Sequence, residues 1–315
     1  MNDLTAKSPE KPYFIEIAPD RDGQRIDNFL IVQLKGVPKS HIYRILRKGE
    51  VRVNKGRIKA DYRLKAGDLV RIPPIRQAGK QPGQPSDKML ELVERNILFE
   101  DKRLLVINKP SGMAVHGGSG VSFGVIEVLR ASRPDSPFLE LVHRLDRDTS
   151  GCLLIAKKRS ALRQLHELFR TDQLQKQYLA LVQGPWKEGK RKVDAPLQKN
   201  VMKSGERMVE VQPEGKDSIS YFDPIEKYDM ACLMRVTLKT GRTHQIRVHA
   251  AHIGHPIAGD EKYGDPAFNQ RMRALGLNRL FLHAAYISFT LPEQDEISVS
   301  APLSEELQSF LKKLQ

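Results

Sequence analysis

Residues 77–88 read QAGKQPGQPSDK, and apart from Ala78 they hold nothing a hydrophobic core could use. A stretch so rich in Gly, Pro and Gln stays solvated and joins folded bodies instead of belonging to one. The chain of 315 residues is therefore expected to form two units, with boundaries at 22–76 and 89–315 and residues 77–88 as a flexible linker. With 40% hydrophobic residues there is enough apolar material for a core in each.

The small unit carries most of the charge. From Lys35 to Arg76 there are thirteen Lys or Arg against three acids, Glu50, Asp61 and Asp68, a surplus of ten within a net charge of +14. A face that is merely solvated mixes signs, so an excess this local points to a polyanionic partner, nucleic acid first. RIDNFL and KSHIYRILRKG predict two short helices, the second capped near Ser40 and stopped at Gly49. VRVNKGRI predicts alternating strand residues around an Asn-Lys-Gly turn, and RLKAGDLVRIP a further strand ending at a Pro pair. On the second helix His41, Arg44 and Lys48 recur at three- and four-residue spacing with Lys39 near its start, while Ile42, Ile45 and Leu46 occupy the opposite side. One face packs and the other is basic.

The large unit alternates short β-type runs with fewer helices. LLVINK, LELVH, GCLLIAK, QYLALVQG, ISYFDPIEKY, CLMRVTLKT and AYISFTL predict strands, many separated by hairpin-length gaps. FGVIEVLRA, SALRQLHELFR with Ser160 as cap, GRTHQIRVHAAHIG and SEELQSFLKKL predict helices. The fold class is α+β, a mostly antiparallel sheet flanked by helices.

Several function classes drop out. Cys152 and Cys232 stand alone inside apolar runs, which argues for reduced, buried thiols and against a disulfide framework or a thiolate zinc site. No apolar run approaches the roughly 20 residues of a membrane span, and MNDLTAKSPEKPYF has no apolar core for a secretory signal, so a cytoplasmic protein without membrane contact is expected. No dinucleotide fingerprint or phosphate-binding loop is present.

The chemistry concentrates in ELVHRLDRDTSGCLLIAKK, residues 140–158, where Asp146 lies between Arg144 and Arg147 ahead of an apolar strand. Neighbouring arginines favour an ionised carboxylate, a poor general acid but a candidate nucleophile, electrostatic stabiliser or metal ligand. An ordinary hairpin turn in which Asp146 and Asp148 pair with Arg144 and Arg147 accounts for the same residues. His244, His249, His252 and His255, followed by Asp260, raise a metal site, but no HExxH pairing is present and a helix would spread the rings over different faces, so no metal is expected. A retaining-glycosidase scheme would need a second carboxylate, for which Asp148 is the sequence neighbour. In a basic chain whose charge points to nucleic acid, the glycosidic bond in question would be the one between a sugar and a base.

Residues 22–75, DGQRIDNFL followed by VPKSHIYRILRKGEVRVNKGRIKADYRLKAGDLVRI, resemble the S4 RNA-binding domain. In the large unit INKPSGMAVHGG, HRLDRDTSG, KQYLALVQG, TGRTHQIRVH with GHPIAGDEKYG, and NRLFLHAAYISF together resemble the motifs of the pseudouridine synthases that modify ribosomal and transfer RNA. The resemblance implies a mostly antiparallel mixed-sheet catalytic domain and isomerisation of uridine without a cofactor. It implies Asp146 as the carboxylate acting on ribose, Tyr178 as the tyrosine that stacks on the base and helps remove the C5 proton, and Arg247 as the partner of the aspartate, with Arg242 as the weaker candidate. Arg144, Arg147, Arg242, His244, Lys109 and His116 are expected at the substrate RNA, as are Lys39, His41, Arg44 and Lys48 on the small unit. The implied partner is 23S ribosomal RNA or a large-subunit assembly intermediate, met by a monomer. Two readings compete with this one: a ribosome-assembly module that binds RNA and does no chemistry, and a metal-dependent RNA hydrolase built on the histidine run.

Overall fold

The computed structural model describes residues 11–34, 37–75, 83–118, 121–201, 207–292 and 295–315. Contacts divide the chain into two units, Met1–Gly83 and Gln84–Gln315. Of the expected linker, residues 77–82 lie outside the described residues, and its last two already open a helix at Asp87.

The first unit contains β1 (Tyr13–Glu16), α1 (Ile26–Gln33), α2 (Lys39–Arg47), β2 (Arg52–Val53), β3 (Gly56–Arg57) and β4 (Leu69–Ile72). Its strands form an antiparallel sheet in the order β1-β4-β2-β3. Ile26, Phe29 and Leu30 of α1 and Ile42, Ile45 and Leu46 of α2 close a core against Val53, Val70 and Ile72 of the sheet. The β2–β3 turn is Asn54-Lys55, both at positive φ (49° and 68°), the backbone a two-residue hairpin requires. Asn54 is held there by its side chain, which donates to Asp68 Oδ1 at 2.8 Å and accepts from Leu69 N at 2.9 Å. Helix α2 starts earlier than its expected Ser40 cap. The Pro38 carbonyl accepts from His41 and Ile42, so Pro38 is the N-cap and Ser40 lies inside the first turn. Gly49, at φ 70°, follows its last turn as expected.

The second unit runs α3 (Asp87–Glu94), β5 (Ile97–Glu100), β6 (Leu104–Lys109), α4 (Val125–Ser132), β7 (Glu140–Leu141), β8 (Ser150–Ala156), α5 (Arg159–Arg170) and β9 (Gln175–Gln183). It continues with β10 (Arg191–Asp194), β11 (Leu197–Val201), β12 (Arg207–Val211), β13 (Ile219–Lys227), β14 (Ala231–Leu238), α6 (Gln245–His252), α7 (Pro266–Ala274), β15 (Leu282–Thr290), β16 (Glu296–Ser300) and α8 (Glu305–Lys312). One large sheet has the order β10-β13-β14-β9-β15-β8-β6-β5, with β16 on β15 and β7 on β8, and β11–β12 form a separate hairpin. Every strand pair is antiparallel except β15 with β8.

Strands β6 and β8 show why their sequences are unbroken apolar runs. Leu105, Ile107, Leu153 and Ile155 point to one face, under Val125, Val128 and Leu129 of α4. Leu104, Val106, Leu154 and Ala156 point to the other, against Leu165 of α5. A strand covered on both sides cannot alternate in polarity. At the other end of the sheet Ile246 and Ala250 of α6 cover one face, and Phe268 and Met272 of α7 with Leu307 and Phe310 of α8 cover the other.

Three local expectations change. Helix α5 takes its N-cap from Lys158, whose carbonyl accepts from Leu162, and Ser160 falls inside the helix. GRTHQIRVHAAHIG is helical only from Gln245, because His244 adopts the left-handed conformation at φ 54°. Helices α3 and α7 and strands β1, β5, β10, β11, β12 and β16 were not expected. Helix α7 nonetheless carries a plain start signal, with Pro266 at its first position and Asp265 accepting from Phe268 N at 2.6 Å.

Candidate active site

Asp146 lies in the loop between β7 and β8, and the loop is pinned from beneath by main-chain contacts. Gly112 N donates to Arg147 O at 2.9 Å, Ser111 Oγ donates to Asp148 O at 2.8 Å, and Thr149 N closes a turn onto Asp146 O at 3.2 Å. Lys109 is fully buried and spends its ammonium on the carbonyls of Pro110, Met113 and Arg147, at 2.9, 2.8 and 2.9 Å. Burial, helped by the nearby Arg279 charge, lowers its pKa to about 7. Lys109 therefore does not face RNA as expected; it ties the loop that begins at Pro110 to the loop that carries Asp146. The loop enters β8 at Gly151, where φ is 108° and a Cβ would stand 2.2 Å from Ala284 O, so only glycine permits the close approach to β15.

The carboxylate is not held by its sequence neighbours. Arg147 pairs with Asp148 (3.2 Å) and Arg144 is exposed, while Asp146 Oδ2 accepts from Arg247 Nη1 at 3.2 Å. Both oxygens of Asp260 take the rest of the same guanidinium, each at 2.7 Å. Asp260 is 1% exposed, and two backbone amides, of Lys262 and Tyr263, also donate to it. Burial opposes its charge, but Arg247 and those amides outweigh it and keep the pKa below the usual carboxylate range. The fork of Arg247 is thus fixed by Asp260 and presented to Asp146, a geometry a lysine could not reproduce.

His244 stands on the other side, with Nε2 3.7 Å from Asp146 Oδ1 and Nδ1 2.8 Å from the Tyr263 hydroxyl. Burial lowers its pKa more than the Asp146 charge raises it. Tyr263 also lies under the Arg247 guanidinium, 5.1 Å from its carbon, and accepts from Val209 N at 3.1 Å. A left-handed non-glycine residue at this point is strain of the sort that functional sites retain. The start of α6 is anchored by Gln245, which accepts from Thr240 Oγ1 and Arg242 N and donates to Ile219 O and Ser220 Oγ.

Tyr178 comes from the middle of β9, in register with Ala284 of β15 and Val236 of β14. Ala284 in turn pairs with Gly151 of β8, so one strand separates Tyr178 from the strand that follows Asp146, roughly 10 Å over two strand spacings. Burial, then the Asp146 charge, hold the phenol well above the usual tyrosine range. Asp146, Tyr178 and Arg247 open onto one cavity of about 910 Å³, wide enough for a nucleotide turned out of its stack. Leu145, Leu238, Leu282 and Ile287 supply apolar wall. Lys176 adds a buried cation, 3.7 Å from Asp172 and over the Phe169 ring at 5.5 Å. Cys152 also reaches the wall, and burial pushes its thiol up to about 12, away from the reactive thiolate form.

Of the expected site residues, the structure brings Asp146, Tyr178, Arg247, Arg144, Arg147, Arg242, His244 and His116 to this cavity. Arg242 does not reach the aspartate; its Nε donates to Asp217 O at 3.0 Å. Lys39, His41 and Arg44 belong to α2 of the other unit and Lys48 is its C-cap; Arg44 Nη2 and His41 Nε2 lie 3.2 Å apart. The four histidines do not converge. His249 is buried between Ser220 Oγ and Ala195 O, and His255 bonds Gln183 O. Asp260 and Tyr263 escaped notice as supports of Arg247 and His244. Their signal lay in the quoted GDEKYG, which carries an acid and an aromatic but no indication of what they face.

Residues 103–252 match the RNA pseudouridylate synthase family and residues 24–70 match the S4 domain. The chain belongs to the RNA pseudouridine synthases and is an isomerase. It is 58% identical, over 304 residues, to ribosomal large subunit pseudouridine synthase C of Pasteurella multocida (strain Pm70), covering 96% of this chain and 93% of that protein. It is also 58% identical, over 306 residues, to the protein of that name from Escherichia coli (strain K12), covering 96% of each. Among solved structures, human RNA pseudouridylate synthase domain containing 4 aligns with a TM-score of 0.61 at 27% identity, over 72% of this chain and 95% of that one. These matches agree with the expected α+β fold of a small S4 domain and a larger mixed-sheet synthase domain.

Proposed function

We propose that the protein converts specific uridines of large-subunit 23S ribosomal RNA to pseudouridine, with Asp146 acting on the ribose of a flipped-out nucleotide. The observation that carries this reading is the Asp146 carboxylate, opened to a cavity of nucleotide size and paired with a guanidinium whose position Asp260 sets. Relatives named for the large ribosomal subunit support the substrate, and the basic S4-type unit supports a structured RNA partner.

In the reaction the N1–C1′ bond breaks, a C5–C1′ bond forms, the C5 proton leaves and N1 takes one up. Asp146 begins it, either by attack at C1′ or by removing a ribose proton, and both routes start from the carboxylate. Tyr178 stacks on the base, and its neutral phenol assists loss of the C5 proton once uracil has turned. The apolar wall retains the detached base, whose escape would leave an abasic RNA. His244, Arg242, His116, Arg144 and Arg147 contact the nucleotide and its phosphates, and Lys39, His41, Arg44 and Lys48 grip the RNA further along. The protein works as a monomer in the cytoplasm, where large subunits are assembled.

The test is tritium release from large-subunit rRNA carrying 5-tritiated uridine, comparing wild type with Asp146→Ala on bare transcripts and assembly intermediates. Release by wild type alone is expected. Silence from wild type on both substrates would overturn the substrate assignment, and release by the variant would remove Asp146 from the mechanism.

A further inference from the structure

The sheet of the first unit places four side chains in a single row. Phe14 of β1 is in register with Arg71 of β4, Arg71 with Arg52 of β2, and Arg52 with Arg57 of β3. All four point away from the core, which the alternate residues Ile15, Val53, Val70 and Ile72 face. The row crosses the whole sheet, roughly 14 Å at the usual strand spacing.

Like charges directly opposite one another destabilise a sheet, and here three stand side by side. Among the described residues none of the three arginines pairs with a carboxylate. Glu16, the acid on the same face of β1, sits one row away opposite Leu69. Each guanidinium is nevertheless aimed. Arg71 Nη1 donates to Glu50 O at 2.8 Å and Arg52 Nε to Gly49 O at 3.3 Å, both in the turn that follows α2. The Arg57 side chain lies over Gly49, where a Cβ would come within 2.7 Å of its Nε. These two bonds use one N–H from each of two arginines and leave most of their donors unspent. At the end of the row Phe14 is 56% exposed, more than any other large hydrophobic residue of the described chain. Three positioned, acid-free guanidiniums ending at a bare aromatic ring have the composition of a single-strand nucleic-acid groove, with phosphates on the cations and a base on the ring.

We propose that this row, Phe14-Arg71-Arg52-Arg57, is a second RNA-contact surface, distinct from the basic face of α2, which holds an unpaired strand with one base stacked on Phe14. It rests on the reading that the substrate is RNA. Two of the four residues, Phe14 and Arg71, lie outside the stretch that matches the S4 domain, so the row belongs to this chain's own sheet rather than to the matched segment alone.

The full-length protein serves for the test. Affinity for large-subunit rRNA is measured against salt for wild type, Arg57→Gln, Phe14→Ala and the triple variant Arg52→Gln/Arg57→Gln/Arg71→Gln, with melting curves alongside. Each phosphate contact contributes about one to the log–log salt slope, so the triple variant should lose about two to three and Arg57→Gln about one. Phe14→Ala should weaken binding without changing the slope. In a further variant, Phe14→Trp, the new indole should be quenched by a short single-stranded oligouridylate; the one natural tryptophan, Trp186, is 2% exposed. Unchanged slopes with a lowered melting temperature would reduce the arginines to ties for the turn that follows α2 and overturn the proposal, as would an unquenched Phe14→Trp. If wild type binds rRNA but releases no tritium, the enzymatic reading fails while the row is still decided by its slopes.

Discussion

Arg247 joins two carboxylates of different standing: it forks onto Asp260, which is buried, and turns its remaining nitrogen to Asp146, whose side chain is 30% exposed. One carboxylate is a fixed support and the other faces the cavity. The support comes from the loop after α6 and the reactive group from the loop before β8, so their alignment is made by the fold.

Asp260→Asn breaks the fork from below and leaves a buried guanidinium short of its partner. The expected loss is about 3–5 kcal/mol of unfolding free energy, measured by denaturant titration, together with lower tritium release. Arg247→Lys should fold but lose activity, because one ammonium cannot serve three carboxylate oxygens in fixed directions. Wild-type kcat in Arg247→Lys would show that charge alone suffices.

Tyr178→Phe retains the ring and removes the hydroxyl. RNA affinity should stay near the wild-type value, while tritium release falls by about 10²-fold or more, the scale of a lost proton-transfer group. Since burial and Asp146 keep the phenol neutral, the rate of the wild type should show no rise from tyrosine ionisation between pH 6 and 9. A tyrosinate-shaped ascending limb in that range would contradict the placement of Tyr178.

His143 lies beside Phe169 and accepts from Leu154 N at 3.1 Å; burial first, and then the Lys176 charge, lower its pKa to about 4. An unfolded histidine titrates near 6.5. Between those values the unfolded chain binds a proton that the folded chain refuses, so this contribution is complete above about pH 6.5 and is lost as pH falls toward 4. His249 and His283, also lowered by burial, act in the same direction. Melting temperature should therefore decline from pH 6.5 to 4, and His143→Gln, which has no proton to take up, should flatten the decline. An equally steep profile in that variant would assign the effect to other groups.

Arg44 of α2 and Lys48 at its C-cap are exposed, and neither forms an ion pair with a carboxylate among the described residues. Arg44→Gln/Lys48→Gln should lower the salt slope of rRNA binding by about two and leave the melting temperature within a degree or two. Binding with an unaltered slope would take the helix face off the RNA.

Much of this could be read from the chain alone, for reasons that are local. Continuous apolar runs announced β6 and β8 because strands buried on both faces have no polar positions to show, and the basic and apolar faces of α2 followed from helical spacing. SEELQSFLKKL was legible as a helix, and the structure adds that Ser304 caps it by accepting from Leu307 N, whereas the caps expected at Ser40 and Ser160 fall inside their helices. The acid-free concentration of Lys and Arg in residues 35–76 and the HRLDRDTSG motif carried the direction of the function. What tertiary structure alone decided was which residues meet. Arg144 and Arg147 flank Asp146 in sequence, yet the guanidinium that reaches it is that of Arg247, 101 residues away, a pairing implied by the family resemblance but by no local spacing, because a turn points successive side chains apart while the sheet and α6 converge on one cavity. Lys109 was expected at the substrate RNA, but the end of β6 buries it among three carbonyls. The row of arginines had no sequence period at all, since cross-strand neighbours are set by register, and register exists only once the sheet has formed.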